Sequence, residues 1–252
     1  MSWAVLPLKD FVNAKQRLSG VLAPHERRGL FQAMVEDVLS TLTASPFIDE
    51  ILLVSDDPGA DLLARKYAAH LLREIRPGLN LAVQAAAEFV LARGGRHMLV
   101  IHGDLPLVNT ADIETLFQNH PSPGITIATD LAGEGTNIML CSSPDCISFH
   151  YGEHSCQLHS REAQAAGIAV RVLELPNAQI DIDEPLDLNV LLERLSQNSI
   201  GAENTRRFLQ ESGVQRRLLA MGIGDSASQS DVQTQNDSKL QSDHSRAEAM
   251  KP

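Results

Sequence analysis

Three acidic positions in this chain stand just after segments that read as strands. Asp104 follows the apolar run Met98–Ile101 in His102-Gly103-Asp104-Leu105-Pro106. Asp181 and Asp183 sit two apart in Ile180-Asp181-Ile182-Asp183-Glu184-Pro185. Side chains two apart on an extended segment share a side, so both carboxylates can face one ion. Like charges that close favour a shared cation, and a hard cation such as magnesium takes oxygen ligands. The plain alternative is that Asp104 caps the turn at Pro106 and that Asp183 or Glu184 caps a helix starting at Pro185; it is weaker for Asp181. A basic loop, Lys9 to Arg17, follows the first strand. Lys9 and Lys15 offer mobile point charges there, and Arg17 offers a planar fork for phosphate oxygens. Alone, that loop reads as a solvated basic turn, and it lacks the Gly-x-x-x-x-Gly-Lys pattern of a P-loop.

Two further stretches could receive an anion. Gly133-Glu134-Gly135-Thr136-Asn137 can present backbone N–H groups. Tyr151-Gly152-Glu153-His154-Ser155 stands before a helix, whose first N–H groups and dipole favour negative charge; Ser155 also reads as a simple cap. His150, His154 and His159 lie near Cys141, Cys146 and Cys156, which raises zinc. Only His150 and His154 have a usual ligand spacing, and they sit in a loop, so zinc is disfavoured.

The elements that must position these residues alternate. Trp3–Leu8, Ile51–Ser55, His70–Arg73, Met98–His102, Ile125–Thr129, Ile138–Cys141 and Ala169–Leu173 read as strands, with Met98–His102 at the sheet centre. Helices are expected from Pro24 to about Leu42 and from Gly59 to about Tyr67. Others run from Asn80 to about Leu91, from a Thr110 cap to about Asn119, from Ser155 to Ala166, from Pro185 onward and from Glu203 to Leu219. Such alternation argues a single three-layer α/β domain with a mostly parallel central sheet. In such sheets the carboxyl ends of strands converge on one ligand crevice. The domain is expected to occupy residues 1–221. Residues 222–252, rich in Ser, Gln and Asp, are expected to be a disordered polar tail, because they lack apolar area to offset chain entropy.

Composition narrows the function. The chain has 252 residues, 43% of them hydrophobic but only 4% aromatic, so its core rests on aliphatic side chains. A formal net charge of −11 disfavours nucleic-acid binding. Against that trend the amino end is locally basic, which suits a small anionic ligand. No apolar run approaches the ~20 residues that span a bilayer, and three cysteines make no paired framework, so a cytoplasmic setting is expected.

Taken in order, these segments resemble the 2-phospho-L-lactate guanylyltransferase family of coenzyme F-420 biosynthesis. The stretches that carry the resemblance are Pro7-Leu8-Lys9 with Ala14-Lys15-Gln16-Arg17-Leu18, Pro77-Gly78-Leu79-Asn80, Gly103-Asp104-Leu105-Pro106-Leu107, Gly133–Asn137, Tyr151–Ser155 and Asp181–Leu188. They span about residues 3 to 195. The resemblance implies a nucleotidyltransferase fold of the glycosyltransferase-A type. It also implies magnesium held by Asp104, Asp181 and Asp183, with Lys9, Lys15 and Arg17 as catalytic residues at the GTP phosphates. Leu79 and Asn80 would lie at the nucleoside, and Thr136, Gly152 and Ser155 would hold a phosphorylated three-carbon acid. That acid is 2-phospho-L-lactate, phosphoenolpyruvate or 3-phospho-D-glycerate. Neither nucleic acid nor membrane is expected as a partner; a homodimer and a downstream transferase receiving the product are compatible with it. Gly103 stands where the family often has alanine, Tyr151 where it usually has phenylalanine, and His154 beside Ser155 is less usual. The alternatives are a molybdenum-cofactor guanylyltransferase or sugar-phosphate cytidylyltransferase, whose glycine-rich first loop this chain lacks, and a non-catalytic nucleotide-binding regulator.

Overall fold

Seven short aliphatic segments pair into one sheet because each carries apolar side chains on both faces. They are β1 (Ser2–Pro7), β2 (Glu50–Val54), β3 (His70–Leu72), β4 (His97–Ile101), β5 (Gly124–Ala128), β6 (Ile138–Cys141) and β7 (Ala169–Leu173). Their order is β3-β2-β1-β4-β6-β5-β7, with β4 in the middle. Every neighbouring pair is parallel except those of β6, which runs antiparallel to β4 and β5. The computed structural model describes residues 1–8, 11, 14–73, 78–197 and 201–223. Lys9, Pro77 and the expected tail from residue 224 onward lie outside the described residues.

The helices are α1 (Pro24–Ala44), α2 (Gly59–Lys66), α3 (Leu79–Leu91), α4 (Thr110–Gln118), α5 (Ser155–Ala165), α6 (Pro185–Ser196), α7 (Glu203–Glu211) and α8 (Val214–Ala220). They cover both faces of the sheet, as a mostly parallel sheet requires. Leu99 and Ile101 of β4 join one core cluster with Leu30, Met34 and Val38 of α1 and Leu188 of α6. Met98 and Val100 join the other with Val83 and Val90 of α3 and Cys156 and Ala163 of α5. This is the three-layer arrangement the alternating sequence predicts. No helix among the described residues is long and apolar enough to cross a membrane.

Two local expectations are corrected. Thr110 is the first helical residue of α4, not its cap. Asn109 caps it, its side chain accepting from the N–H groups of Ala111 and Asp112, while Asp112 accepts from the Asn109 N–H. The helical stretch from Glu203 is two helices, broken at Gly213, whose φ of 72° lies in the left-handed region that glycine tolerates. The buried Asp37 of α1 accepts hydrogen bonds from the N–H groups of Asn204 and Thr205 at 2.7 and 2.9 Å. It thereby satisfies two donors at the start of α7 and ties the carboxy-terminal helices to the core.

Candidate active site

The site is assembled at the carboxyl end of β4 and the loops beside it. Lys15 stands at the entry to a short 3-10 helix, Gln16–Gly20, with φ 56° and ψ 43°. A non-glycine residue there carries a cost of about 1–2 kcal/mol, and two ion pairs oppose it. Lys15 Nζ lies 2.5 Å from Asp104 Oδ2 and 2.6 Å from Asp183 Oδ1. The lysine side chain is 5% exposed, that of Asp104 19% and that of Asp183 45%. Burial works against the ammonium, but the charges of Asp104 and Asp183 outweigh it and raise its pKa. Burial likewise opposes the Asp104 carboxylate, and Lys15 and His102 outweigh it, holding the pKa below the usual carboxylate range.

The 181–184 segment reaches this point through the core. Ile182 is fully buried, and its N–H donates to the Asp104 carbonyl at 3.2 Å. That anchor leaves Asp181 and Asp183, two apart, for the site. The N–H groups of Asp183 and Glu184 both donate to the Asp187 carboxylate, so Asp187 makes the helix-start bonds and the Asp183 carboxylate is left to Lys15. Asp181 is pushed up to about 6 by burial, with the Asp104 and Asp183 charges adding to the effect. Arg17 forms an exposed ion pair with Glu184 at 3.1 Å, beside Asp183. Three carboxylates thus face one buried ammonium, an excess of negative charge.

Among the described residues no group of three or more His, Cys, Asp or Glu side chains is spaced to enclose a metal ion. The oxygens of Asp104 and Asp183 that could share a cation are bridged by Lys15 instead. Even so, the donor set suits a hard cation. Asp104 Oδ1 is buried without a hydrogen-bond partner among the described residues, and an orphaned buried carboxylate oxygen is costly unless something positive meets it.

The second half of the site lies across Tyr151. The His102 and Tyr151 rings are 5.7 Å apart, which sets the Gly152 loop against the residues leading to Asp104. Gly152 has φ 132° and open space where a Cβ would stand, so its backbone can be approached closely. Ser155 starts α5 and is 2% exposed. The Cys156 N–H donates to the Glu134 carbonyl at 3.0 Å, which pins the glycine-rich turn to the first turn of α5. His154 Nδ1 lies 3.3 Å from Glu134 Oε2 in the same place, both side chains exposed. Gly103, between Leu8 and Val35, has no room for a Cβ, which would fall 2.9 Å from each side chain. Glycine in place of the more usual alanine is therefore matched to this chain's packing.

The structure separates the remaining expected residues. Thr136 is buried and bonds to His159, whose role the sequence does not announce. Asn80 is committed to the protein: its side chain donates to the Tyr151 carbonyl at 3.2 Å and accepts from the Tyr151 N–H at 2.6 Å. It braces the Gly152 loop from α3. Leu79 is partly buried against the α3–α5 core cluster. A cavity of about 660 Å³ is lined by Asp130, Leu131 and Ala132 of the loop after β5 and by Asp181 and Glu184. Asp181 therefore borders open space next to the glycine-rich turn.

A family description, guanylyl transferase CofC like, matches residues 2–216. This chain belongs to that family. A phosphoenolpyruvate guanylyltransferase of Conexibacter woesei is 36% identical over 213 residues, covering 83% of this chain and 96% of that protein. A 2-phospho-L-lactate guanylyltransferase of Methanothermobacter thermautotrophicus is 31% identical over 192 residues, covering 75% and 83%. A 3-phospho-D-glycerate guanylyltransferase of Colwellia psychrerythraea is 33% identical over 190 residues, covering 74% and 89%. Among solved structures, a Desulfovibrio desulfuricans protein provisionally named a nucleotide-diphospho-sugar transferase superposes with a TM-score of 0.68 at 18% identity, covering 86% and 97%. A 4-diphosphocytidyl-2C-methyl-D-erythritol synthase superposes at 0.56 with 11% identity, covering 78% and 98%. Both likenesses are of fold. The chain is a nucleotidyltransferase of the CofC-like family, with the fold expected from its sequence.

Proposed function

We propose that this chain transfers GMP from GTP to a phosphorylated three-carbon acid in coenzyme F-420 biosynthesis. A phosphate oxygen of the acid attacks the α-phosphorus of GTP. The bond from that phosphorus to the bridging oxygen breaks, and pyrophosphate carries away the electron pair. Phosphate is already ionised at neutral pH, so the step needs alignment and charge neutralisation more than a strong base. The observation that carries this reading is the ammonium of Lys15 held between Asp104 and Asp183 at the end of β4. It supplies positive charge where a triphosphate would lie, with carboxylates that can hold a divalent cation.

Magnesium is part of the proposal. Asp104, Asp181 and Asp183 would hold it, and the unpartnered Asp104 Oδ1 fits that role. Bound there, it would neutralise phosphate charge and polarise the reacting phosphorus. Lys15 would then meet the triphosphate, with Arg17 at the rim. The acid would be received by Thr136, Gly152 and the first turn of α5, on the other side of Tyr151. Separate receiving sites let two anions approach without prohibitive repulsion. The relatives named for phosphoenolpyruvate, 30–36% identical to this chain, make it the first acid to try, beside 2-phospho-L-lactate and 3-phospho-D-glycerate.

Ser155 gives the direct test of this division. Replacing the buried Ser155 with Leu crowds the start of α5 and blocks its N–H groups. The Michaelis constant for the acid should rise about 10-fold or more, as expected for losing hydrogen bonds to a charged ligand. That for GTP should stay nearly unchanged. Steady-state titrations of each substrate with the other saturating give both constants. Equal weakening of both, or of GTP alone, would make the glycine-rich stretches scaffold rather than acid site.

A further inference from the structure

The imidazole of His159 is fully buried on α5, one turn beyond Ser155 and on the same face of that helix. Both of its nitrogens are engaged. The backbone N–H of His150 donates to Nε2 at 2.9 Å. An accepting Nε2 bears no proton, so the neutral ring carries its proton on Nδ1. Nδ1 lies 3.1 Å from Thr136 Oγ1, and Nδ1–H is therefore the donor of that bond. Burial, with His150 adding, pushes the His159 pKa down to about 4, which keeps the ring neutral at physiological pH.

The consequence falls on Thr136. A hydroxyl has one hydrogen to give. With an Oγ1 lone pair taken by His159, that hydrogen is left to donate, and no described residue accepts it. Thr136 is 2% exposed, and a buried donor without an acceptor is costly until one arrives. From this geometry we infer that His159 is a positioning residue that makes the Thr136 hydroxyl a one-way donor to an anionic oxygen of the acid substrate. The same ring joins the parts that must agree on where that oxygen sits. It bonds the loop after β6 through His150 and the glycine-rich turn through Thr136. Its edge packs against Tyr151 at 4.9 Å and 70°, next to Gly152. This inference rests on the acid site proposed above.

The test compares variants that keep or lose the Nδ1–H donor. In Asn the side-chain amide nitrogen falls near the position of the ring Nδ1; in Gln it falls near Nε2. His159→Asn should therefore retain a donor for Thr136 and His159→Gln should lose it. Two quantities are read: the dissociation constant of phosphoenolpyruvate, by calorimetric titration with a non-hydrolysable GTP analogue present, and the Michaelis constants in turnover. Thr136→Val and His159→Gln should each weaken the acid about 10-fold, with GTP within about 2-fold of wild type, and the double variant should be no worse than either alone. His159→Asn should recover most of the loss. Equal weakening in the Asn and Gln variants, additive losses in the double variant, or parallel weakening of GTP would overturn the inference and leave His159 a packing residue. If the wild type binds the acid without turnover, the transferase reading fails while the binding pattern still decides the role of His159. If it does not bind the acid at all, the inference fails as well.

Discussion

Replacing Asp104 with Asn is expected to cut turnover by roughly 100-fold or more, the cost of removing a carboxylate from the charge-neutralising centre of a phosphoryl-transfer site. The fold should survive. Lys15 keeps Asp183 at 2.6 Å, and the Asn carbonyl can still accept from the ammonium. What is lost is a negative charge shared with Oδ1, which has no partner among the described residues. Pyrophosphate release at saturating substrates measures the first effect. A melting curve measures the second, with ~2–4 °C expected per kcal/mol for a domain of this size. Near-normal release would remove Asp104 from the reaction.

Lys15→Met is expected to have a comparable kinetic effect and a larger structural one. Methionine fills much of the same volume without charge, leaving Asp104, Asp181 and Asp183 facing one another. Breaking a fully buried ion pair costs ~3–5 kcal/mol. Because Asp183 is nearly half exposed, water should reduce this to about 2 kcal/mol, or ~4–8 °C in melting temperature. The kcat/KM for GTP should fall at least ~100-fold if, as proposed, this is the cation that meets the triphosphate. Lys15→Arg separates charge from shape. It restores the charge, but its planar fork is not the point charge that lies within 2.6 Å of both carboxylates, so activity should remain low. A fully active but destabilised Lys15→Met enzyme would make the ion pairs purely structural, and a stable, fully active one would make them idle.

How much of this was legible in the sequence depends on whether the signal is local. The reading of β4 as a buried strand rests on four consecutive apolar residues, Met98 to Ile101, which suit a strand covered on both faces. The placing of Asp104 at its end follows from the same run. The split between α7 and α8 was hidden because apolar residues continue through it, at Leu209, Val214 and Leu218. The cap of α4 was misplaced by one residue because Asn109 and Thr110 are both good caps, and only hydrogen-bond geometry chooses between them.

The site was legible in its parts more than in its wiring. Lys15 and Asp183 are 168 positions apart, and no spacing rule reports such a pair. Asp183 read as a metal carboxylate with a helix cap as the plain alternative; Asp187 makes the helix-start bonds, which leaves the Asp183 carboxylate for Lys15. The resemblance places Asn80 near the nucleoside; its two hydrogen bonds to the Tyr151 backbone, 71 positions away, had no local signal. His159 read only as a weak zinc candidate. Its four-residue spacing from Ser155 was the available signal, since it places both on one helix face; its bond from the His150 N–H could come only from the folded chain.

Guanylyl transfer itself is tested most directly by the product. Phosphorus NMR of the enzyme with GTP, magnesium and phosphoenolpyruvate, 2-phospho-L-lactate or 3-phospho-D-glycerate in turn should show two coupled signals from a new diphosphate joining GMP to at least one of the acids. Pyrophosphate should appear in equal amount, and neither product should form when the acid is omitted. GTP left intact with all three acids, or pyrophosphate formed as readily without any acid, would contradict the proposed reaction.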